Sequence, residues 1–512
     1  MPRTALLDRF PSRTRPAGPP VRPRNLLHRH WVAVTLVVLL VLAGVLWLTR
    51  PWQSCGDGLT SAGDVCVGLN LESGTLRADD PLADLEQLIA DRNARAGDTF
   101  KTIVVLDNLT PDPDVDSTPI DFTRHVVQGA IAAAWPHPDT TGVKLLLANF
   151  GTNAEHWRDA VERIVESAES LHIAAVTGLG TSLENVRRAI AELGSHGIVT
   201  IGSTVTADDL NLGPDGKPVK TFFRVGPTNS DEAQAAVNYI AKLPKRRTML
   251  VADVNEADTY AGTLAKAFTE QQLVPIQFTK KYDSLEGQLT GTSRDAYLQK
   301  LFRGMHSDIC TAQPDVIYFA GRGVDLGSFV HALSNDGACQ GLRSVTVLSG
   351  DDAATLVGSK LPLDGDIAVT PLYTALAYPD QWKMFTGHDA ALTYQQNYTD
   401  FLNAFTGTHE FAAADLSDGA AMIEHDAVAT AVKAAEEDPA GSPRSVTNFV
   451  ASIDCNSAVG GATGFIAFGQ DSGNQIDKVL PILRIQADGT TGPVDLVWSR
   501  GRPLDTSPSC AS

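Results

Sequence analysis

The stretch 173–206 constrains this chain more than any other. It opens as Ile173-Ala-Ala-Val-Thr-Gly-Leu-Gly-Thr-Ser182 and runs through a helical segment over 183–193. It then repeats its theme in Gly197-Ile-Val-Thr-Ile-Gly-Ser-Thr-Val-Thr206. Each apolar run ends in a burst of Gly, Ser and Thr. A strand–loop–helix–strand–loop unit of this kind sets two parallel strands side by side. Both loops then lie at carboxyl ends of strands, the edge at which open parallel sheets hold ligands. Small hydroxyls and free backbone N–H groups there suit a polar or anionic small molecule. No obvious catalytic group stands among them.

The same alternation extends in both directions. Strands are expected at 101–106, 143–148, 173–177, 198–201 and 221–225, with helices at 122–135, 154–171 and 183–193 between them. A second series follows, with helices at 230–242, 260–272, 294–306 and 326–335. Its strands are expected at 248–251, 274–282, 316–320 and 345–349. Strands separated by helices of ten residues or more indicate parallel sheets with helical cover. Two such series give an α/β chain of two lobes. Helices are also expected at 81–95, 394–406 and 418–437. The segments 464–469 and 479–486 read as a hairpin-like pair of strands.

At 512 residues there is ample core for two or three domains. The formal net charge of −19 argues against a nucleic-acid partner, which asks for a basic face. The one dense basic run beyond the N-terminal tail, Lys245-Arg246-Arg247, reads as a solvated turn. Residues 31–49 differ in kind: they carry no charge, are rich in Val and Leu, and as a helix would span roughly 28 Å. Trp31 and Trp47 sit near the two ends, where interfacial aromatics belong. The Arg- and Pro-rich tail 1–30 ahead of it holds Arg3, Arg9, Arg13, Arg15, Arg22, Arg24 and Arg29 against one acid, Asp8. That bias keeps the N-terminus in the cytoplasm and sends everything after Arg50 outside. A cleaved signal peptide is the competing reading. The leader is long for one, and no small-x-small cleavage site follows.

Six cysteines outside the membrane suggest disulfides. Of the fifteen possible pairings, the sequential one is expected: Cys55 with Cys66 around a short Gly-rich loop, Cys310 with Cys339 ahead of neighbouring strands, and Cys455 with Cys510 at the C-terminal tail. Zinc is the alternative use of cysteine, but no Cys-x-x-Cys or Cys/His cluster is present. Enzyme signatures are equally scarce. There is no Gly-x-Ser-x-Gly elbow, no His-Glu-x-x-His and no Gly-Lys-Ser/Thr phosphate loop. His425-Asp426 falls on a helix with an apolar face and reads as a structural pair. Gly321-Arg-Gly323 is too short a glycine pattern for a dinucleotide fingerprint. No cofactor is expected.

Five stretches, in order, resemble the type I periplasmic binding proteins, in particular the leucine/isoleucine/valine-binding branch of ABC transporter substrate-binding proteins. They are the opening pair of loops; Phe222-Phe-Arg-Val-Gly-Pro-Thr-Asn-Ser-Asp231; Asp258-Thr-Tyr-Ala-Gly262; Glu424-His-Asp-Ala-Val428; and Gly460-Gly-Ala-Thr-Gly-Phe-Ile-Ala-Phe-Gly469. The resemblance covers about 100–485. It implies two Rossmann-like lobes with parallel sheets joined by three crossovers, with the ligand between them and hinge closure as the working motion. Lobe 1 would be 101–226 plus 374–455, and lobe 2 would be 227–373 plus 456–512. A cysteine-containing segment over 50–100 would lead into lobe 1.

The resemblance also implies a site. Thr181 and Ser182 occupy the family's first ligand loop, where hydroxyl and backbone N–H groups take an amino-acid carboxylate. Thr204, Val205 and Thr206 match the second loop, whose carbonyl and hydroxyl take the ammonium. Tyr260 stands where an aromatic covers the ligand from lobe 2, and Asp351 and Asp352 where an acid pairs with the ammonium. Each has a plainer reading: helix capping for Thr181, Ser182 and the two aspartates, surface packing for Tyr260. Arg322 departs from the family pattern. Pointing inward, it would ask for a ligand with an extra negative group, since Arg forms paired bonds to carboxylates. The expected protein is an extracytoplasmic solute-binding clamp for an amino acid or related small polar or anionic ligand. It would be membrane-anchored and would serve an ABC permease rather than act as an enzyme. A receptor-like sensor or assembly module with a signalling partner is the alternative, and a lobe pair that binds no small molecule is a third possibility.

Overall fold

The computed structural model describes residues 35–36, 38–39, 55–71, 75–256, 258–271, 273–285, 288–335, 337–386, 391–437 and 443–499. Most of the expected membrane segment 31–49, the Arg-rich tail 1–30 and Cys510 lie outside them. Among the described residues no helix is long and apolar enough to cross a membrane. Residues 55–512 form one compact unit and 1–54 another.

The larger unit contains two seven-stranded sheets. The first is built from β1 (Leu59–Ala62), β2 (Val65–Asn70), β3 (Lys101–Asp107), β4 (Val143–Asn149), β5 (Ile173–Gly178), β6 (Val199–Gly202) and β7 (Phe222–Arg224), in the order β1-β2-β4-β3-β5-β6-β7. The second sheet uses β8 (Thr248–Asp253), β9 (Ile276–Tyr282), β10 (Val316–Ala320), β11 (Ser344–Ser349) and β12 (Ala368–Thr374). A two-stranded ribbon of β13 (Val459–Gly461) and β14 (Gly464–Ile466) precedes β15 (Val479–Ile485) and β16 (Thr491–Trp498). These last two complete the second sheet in the order β16-β15-β12-β11-β10-β8-β9. Strands joined by helices pair in parallel, whereas β1, β2, β15 and β16 are antiparallel additions at one edge of each sheet.

The sequence explains why both faces are covered. Successive strand residues point to opposite faces, and here both faces are apolar. Ile103 and Val105 pack with helices Ile120–Ala134 and Ala420–Glu436, while Val104 and Leu106 pack with helices Trp157–Ser167 and Glu184–Ser195. In the second sheet Ile317 and Phe319 enter one core, and Val316, Tyr318 and Ala320 enter the other. The chain leaves the first sheet after β7 and caps helix Asn229–Lys242 through Thr228, whose hydroxyl accepts from Asp231 N while the Asp231 carboxylate answers Thr228 N. It returns after β12 to supply helix Ala420–Glu436 to the first lobe's core, then passes back to β15 in the second sheet.

One expectation changes. Residues 464–469 and 479–486 do not pair with each other: β14 pairs with β13 across Ala462-Thr463, and β15 pairs with β16 across Asp488-Gly489. The cause is local, because each strand has a tight turn beside it, and Gly489 (φ +84°) supplies the positive φ that the second turn needs. The segment after Cys55 joins the first sheet: β2 hydrogen-bonds to β4, and β1 beyond it makes the edge.

Of the cysteines, Cys55–Cys66 and Cys310–Cys339 are disulfides, with Cα atoms 5.7 and 5.2 Å apart. His306 approaches the second pair, but its sulfurs bond to each other and offer no thiolate pair for zinc. Cys455 is also disulfide-bonded.

Candidate functional site

Most polar residues at the cleft between the lobes are delivered by the carboxyl end of a parallel strand or the helix start that follows it. From the first lobe come Asp107 at the end of β3, Thr181 and Ser182 after β5, and Thr204 and Thr206 after β6. From the second come Tyr260 beyond β8, Arg322 after β10, and Asp351 and Asp352 after β11. They line a narrow cleft, together with Thr118, Phe122 and Asp418, whose enclosed space in this arrangement is about 30 Å³, room for a water-sized group.

The first loop is held in an uncommon conformation. Gly178, Leu179 and Gly180 all have positive φ (+84°, +78° and +58°), and the Leu179 side chain is fully buried. A Cβ on Gly180 would lie 2.4 Å from Asp107 Oδ1, so glycine lets the loop pass over that carboxyl without displacing it. Ser182 then ties the two loops together, its Oγ accepting from Thr206 N (3.0 Å) and Ala207 N (3.2 Å). Thr204 Oγ1 donates to Gly180 O (2.7 Å). Thr181 shares a hydrogen bond with Thr118 (3.1 Å).

Val205 stands apart from the rest of the expected site. Its side chain is buried in the first lobe's core. Its carbonyl, expected to face an ammonium, accepts from Arg224 Nη1 (3.2 Å), which also reaches Ala207 O (2.8 Å). Arg224 Nε bonds Asn474 (2.8 Å), so this buried guanidinium pins the second loop to the chain's last crossing.

Arg322 points inward, but its donors are engaged by the protein. It forms a two-point pair with Asp258 (Nε–Oδ2 and Nη2–Oδ1, both 2.8 Å) and reaches Asp352 (3.2 Å). It also lies 4.8 Å from the centre of the Tyr260 ring. Its Nη2 crosses the cleft to Ser182 O (3.0 Å). Such fork-to-carboxylate geometry is the strong form of an ion pair. Arg322 is therefore an internal brace between lobes, which removes the sequence argument for a more acidic ligand.

The lobes touch directly at further points: Thr206 Oγ1 donates to Asp351 Oδ1 (3.2 Å), Thr259 Oγ1 to Ser182 O (3.2 Å) and Gly291 N to Asp114 O (2.8 Å). Behind Asp351 lies Glu232 of helix Asn229–Lys242. Its Oε2 accepts from Asp351 N (2.8 Å) and Thr374 Oγ1 (2.6 Å). Burial, followed by the Asp351 carboxylate, pushes the Glu232 pKa well up. Burial and the neighbouring Asp352 raise Asp351 to about 6. In the first lobe burial raises Asp107 to about 7 and Glu424 to about 8, the latter partly relieved by bonds from Ser203 and Thr177.

Sequence reasoning missed Asp107, Glu232, Asp258 and Asp418 as members of this site. Asp107 carried a usable signal, an acid directly after the apolar run 103–106, at the carboxyl end of its strand. Asp258 lay inside a motif already singled out for Tyr260.

No protein-family model and no curated protein matches the sequence. Solved structures do match the fold. An ABC transporter substrate-binding protein from Desulfitobacterium hafniense in complex with Leu is 17% identical, with a TM-score of 0.54 over 77% of this chain and 99% of its own. The branched-chain amino acid transporter substrate-binding protein LivJ of Streptococcus pneumoniae, in complex with isoleucine, gives 16%, 0.55, 78% and 100% in the same terms. A solute-binding protein of an ABC transporter from Rhodopseudomonas palustris, in complex with p-hydroxybenzoic acid, gives 13%, 0.57, 79% and 98%. This chain has the fold of the ABC transporter substrate-binding proteins, the type I periplasmic binding protein fold.

Proposed function

We propose that the protein is an extracytoplasmic solute-binding clamp that holds a small polar molecule of amino-acid size between its lobes and delivers it to an ABC permease. The observation that carries this reading is the convergence of eight of the nine expected site residues on one interlobe cleft, from strand ends of both sheets. The structural neighbours that carry leucine, isoleucine or p-hydroxybenzoic acid support the reading by analogy of fold. The cleft residues hydrogen-bond and brace, which supports a binding role. Residues 31–49 act as an uncleaved membrane anchor with the Arg-rich tail inside.

A thermal-shift screen of the purified chain tests the clamp. A ligand at 100 times its dissociation constant adds about 2.7 kcal/mol, so a true ligand raises Tm by several degrees. Failure of every amino acid, amine and organic acid to do so sinks the reading. Co-purification from membranes separates transport from sensing: permease subunits support the clamp, a regulatory protein the sensor. Persistence in the membrane fraction after carbonate washing tests the anchor.

A further inference from the structure

The chemistry left over in the cleft, once the protein's own bonds are drawn, is unbalanced. The side-chain donors are largely consumed. Arg322 is spent on Asp258, Asp352 and Ser182 O, Thr204 on Gly180 O and Thr206 on Asp351. The second-loop N–H groups of Thr206 and Ala207 are spent on Ser182 Oγ. Among the described residues, what remains to receive a ligand's acceptor is the backbone of the first loop, with the hydroxyl hydrogens of Ser182 and of one partner in the Thr118–Thr181 pair.

The acids are less well matched. Asp258 and Asp352 share Arg322, and Asp418 faces His125 (2.6 Å). Among the described residues no cation meets Asp107 or Asp351; Asp351 is held instead by hydrogen bonds with Thr206, Tyr260 and the Glu232 carboxyl. Asp107 is only 5% exposed, yet it lines the cleft. Its one bond is from the N–H of the next residue, Asn108, to Oδ1 (2.6 Å), and no donor among the described residues meets Oδ2. A carboxylate buried without a cation is costly, and the raised pKa of Asp107 is the expression of that cost.

We propose that the cleft selects a small organic cation, a ligand carrying more positive than negative groups, whose ammonium or guanidinium charge is met by Asp107 from the first lobe and Asp351 from the second. The inference rests on the solute-clamp reading and names the ligand class of that same site. It reverses the sign expected from Arg322 alone. A neutral zwitterion supplies one positive group for two unmatched carboxyls, and an aromatic acid supplies none.

The experiment is calorimetric titration of the full chain in detergent at physiological salt with four probes: L-lysine, putrescine, L-leucine and 4-hydroxybenzoate. Lysine is expected to bind at least tenfold more tightly than leucine, putrescine to bind measurably, and 4-hydroxybenzoate not at all. The Asp107→Asn and Asp351→Asn variants, checked for folding by circular dichroism, are each expected to cut the lysine-over-leucine ratio at least fivefold. Each keeps the side-chain shape. Leucine or 4-hydroxybenzoate binding as tightly as lysine overturns the cation inference and leaves the clamp standing. Silence with all four probes overturns both. An unchanged ratio in the folded variants overturns the assignment to these two carboxyls.

Discussion

Gly129 and Ala421 bring two helices of the first lobe into backbone contact: a Cβ on Gly129 would lie 2.1 Å from the Ala421 carbonyl oxygen. Gly129 sits inside helix Ile120–Ala134, where alanine would ordinarily gain about 1 kcal/mol in helix propensity. The contact reverses that sign, because the obstacle is rigid backbone rather than a flexible side-chain end. Gly129→Ala is expected to destabilise the protein by about 1–3 kcal/mol, the usual cost of overpacking. Denaturant unfolding checks it, and a stabilised variant would mean that the helices part without penalty.

Arg322 supports a prediction about what a brace is worth. Removing it by Arg322→Ala leaves Asp258 buried beside Asp352 with no cation, and loss of one partner of a buried pair costs about 3–5 kcal/mol. Arg322→Lys keeps the charge but loses the fork, since a single ammonium does not reproduce the two-point contact with Asp258 and the bond to Ser182 O. Its urea midpoint is expected to fall between those of the wild type and the alanine variant.

The two described disulfides close loops of different length, with sequence separations of 29 for Cys310–Cys339 and 11 for Cys55–Cys66. Chain-entropy reasoning makes the longer loop the stronger constraint, about 3–4 kcal/mol against somewhat under 3. Cys310→Ala with Cys339→Ala is therefore expected to lower Tm more than Cys55→Ala with Cys66→Ala. Calorimetric melting of both double variants makes the comparison.

Stability should decline as pH rises from 5 to 8. Glu424 has a folded pKa of about 8, pushed up by burial, against about 4.5 in the unfolded chain. Its contribution is complete below the unfolded value and is lost as pH rises through the folded one. Glu86 (about 8), Asp107 (about 7) and Asp351 (about 6) act with the same sign. Lys478, depressed to about 8 by burial, acts in the opposite sense only above that window. Glu424→Gln is expected to flatten the decline by on the order of 2 kcal/mol at pH 8, read from melts across the pH series.

Much of the cleft could be read from sequence because its residues obey a local rule: they follow apolar runs that must be parallel strands. Thr181, Ser182, Thr204, Thr206, Arg322 and Asp351 were all reachable that way. What could not be read is pairing across distance. Arg322 looked available because its partner Asp258 lies 64 residues earlier. The Val205 carbonyl looked free because Arg224 reaches it only once β7 has folded beside β6. The order β1-β2-β4-β3 hid for the same reason: an antiparallel edge strand has no signature in its own sequence that names its neighbour. The hairpin error was avoidable, since Asp488-Gly489 is a turn signal in plain view.

The Cys55–Cys66 bridge has a mechanical consequence. Cys66 lies in β2, its N–H bonded to Leu76 O (2.7 Å) and its carbonyl to Asn149 Nδ2 (2.8 Å). A pull on the chain ahead of residue 55 passes through the sulfurs straight into β2. It bypasses β1, which would otherwise be peeled away one hydrogen bond at a time. The load therefore arrives at a strand seated between β1 and β4, where several bonds must fail together. A chain tethered at that end is fastened through β2 rather than through β1.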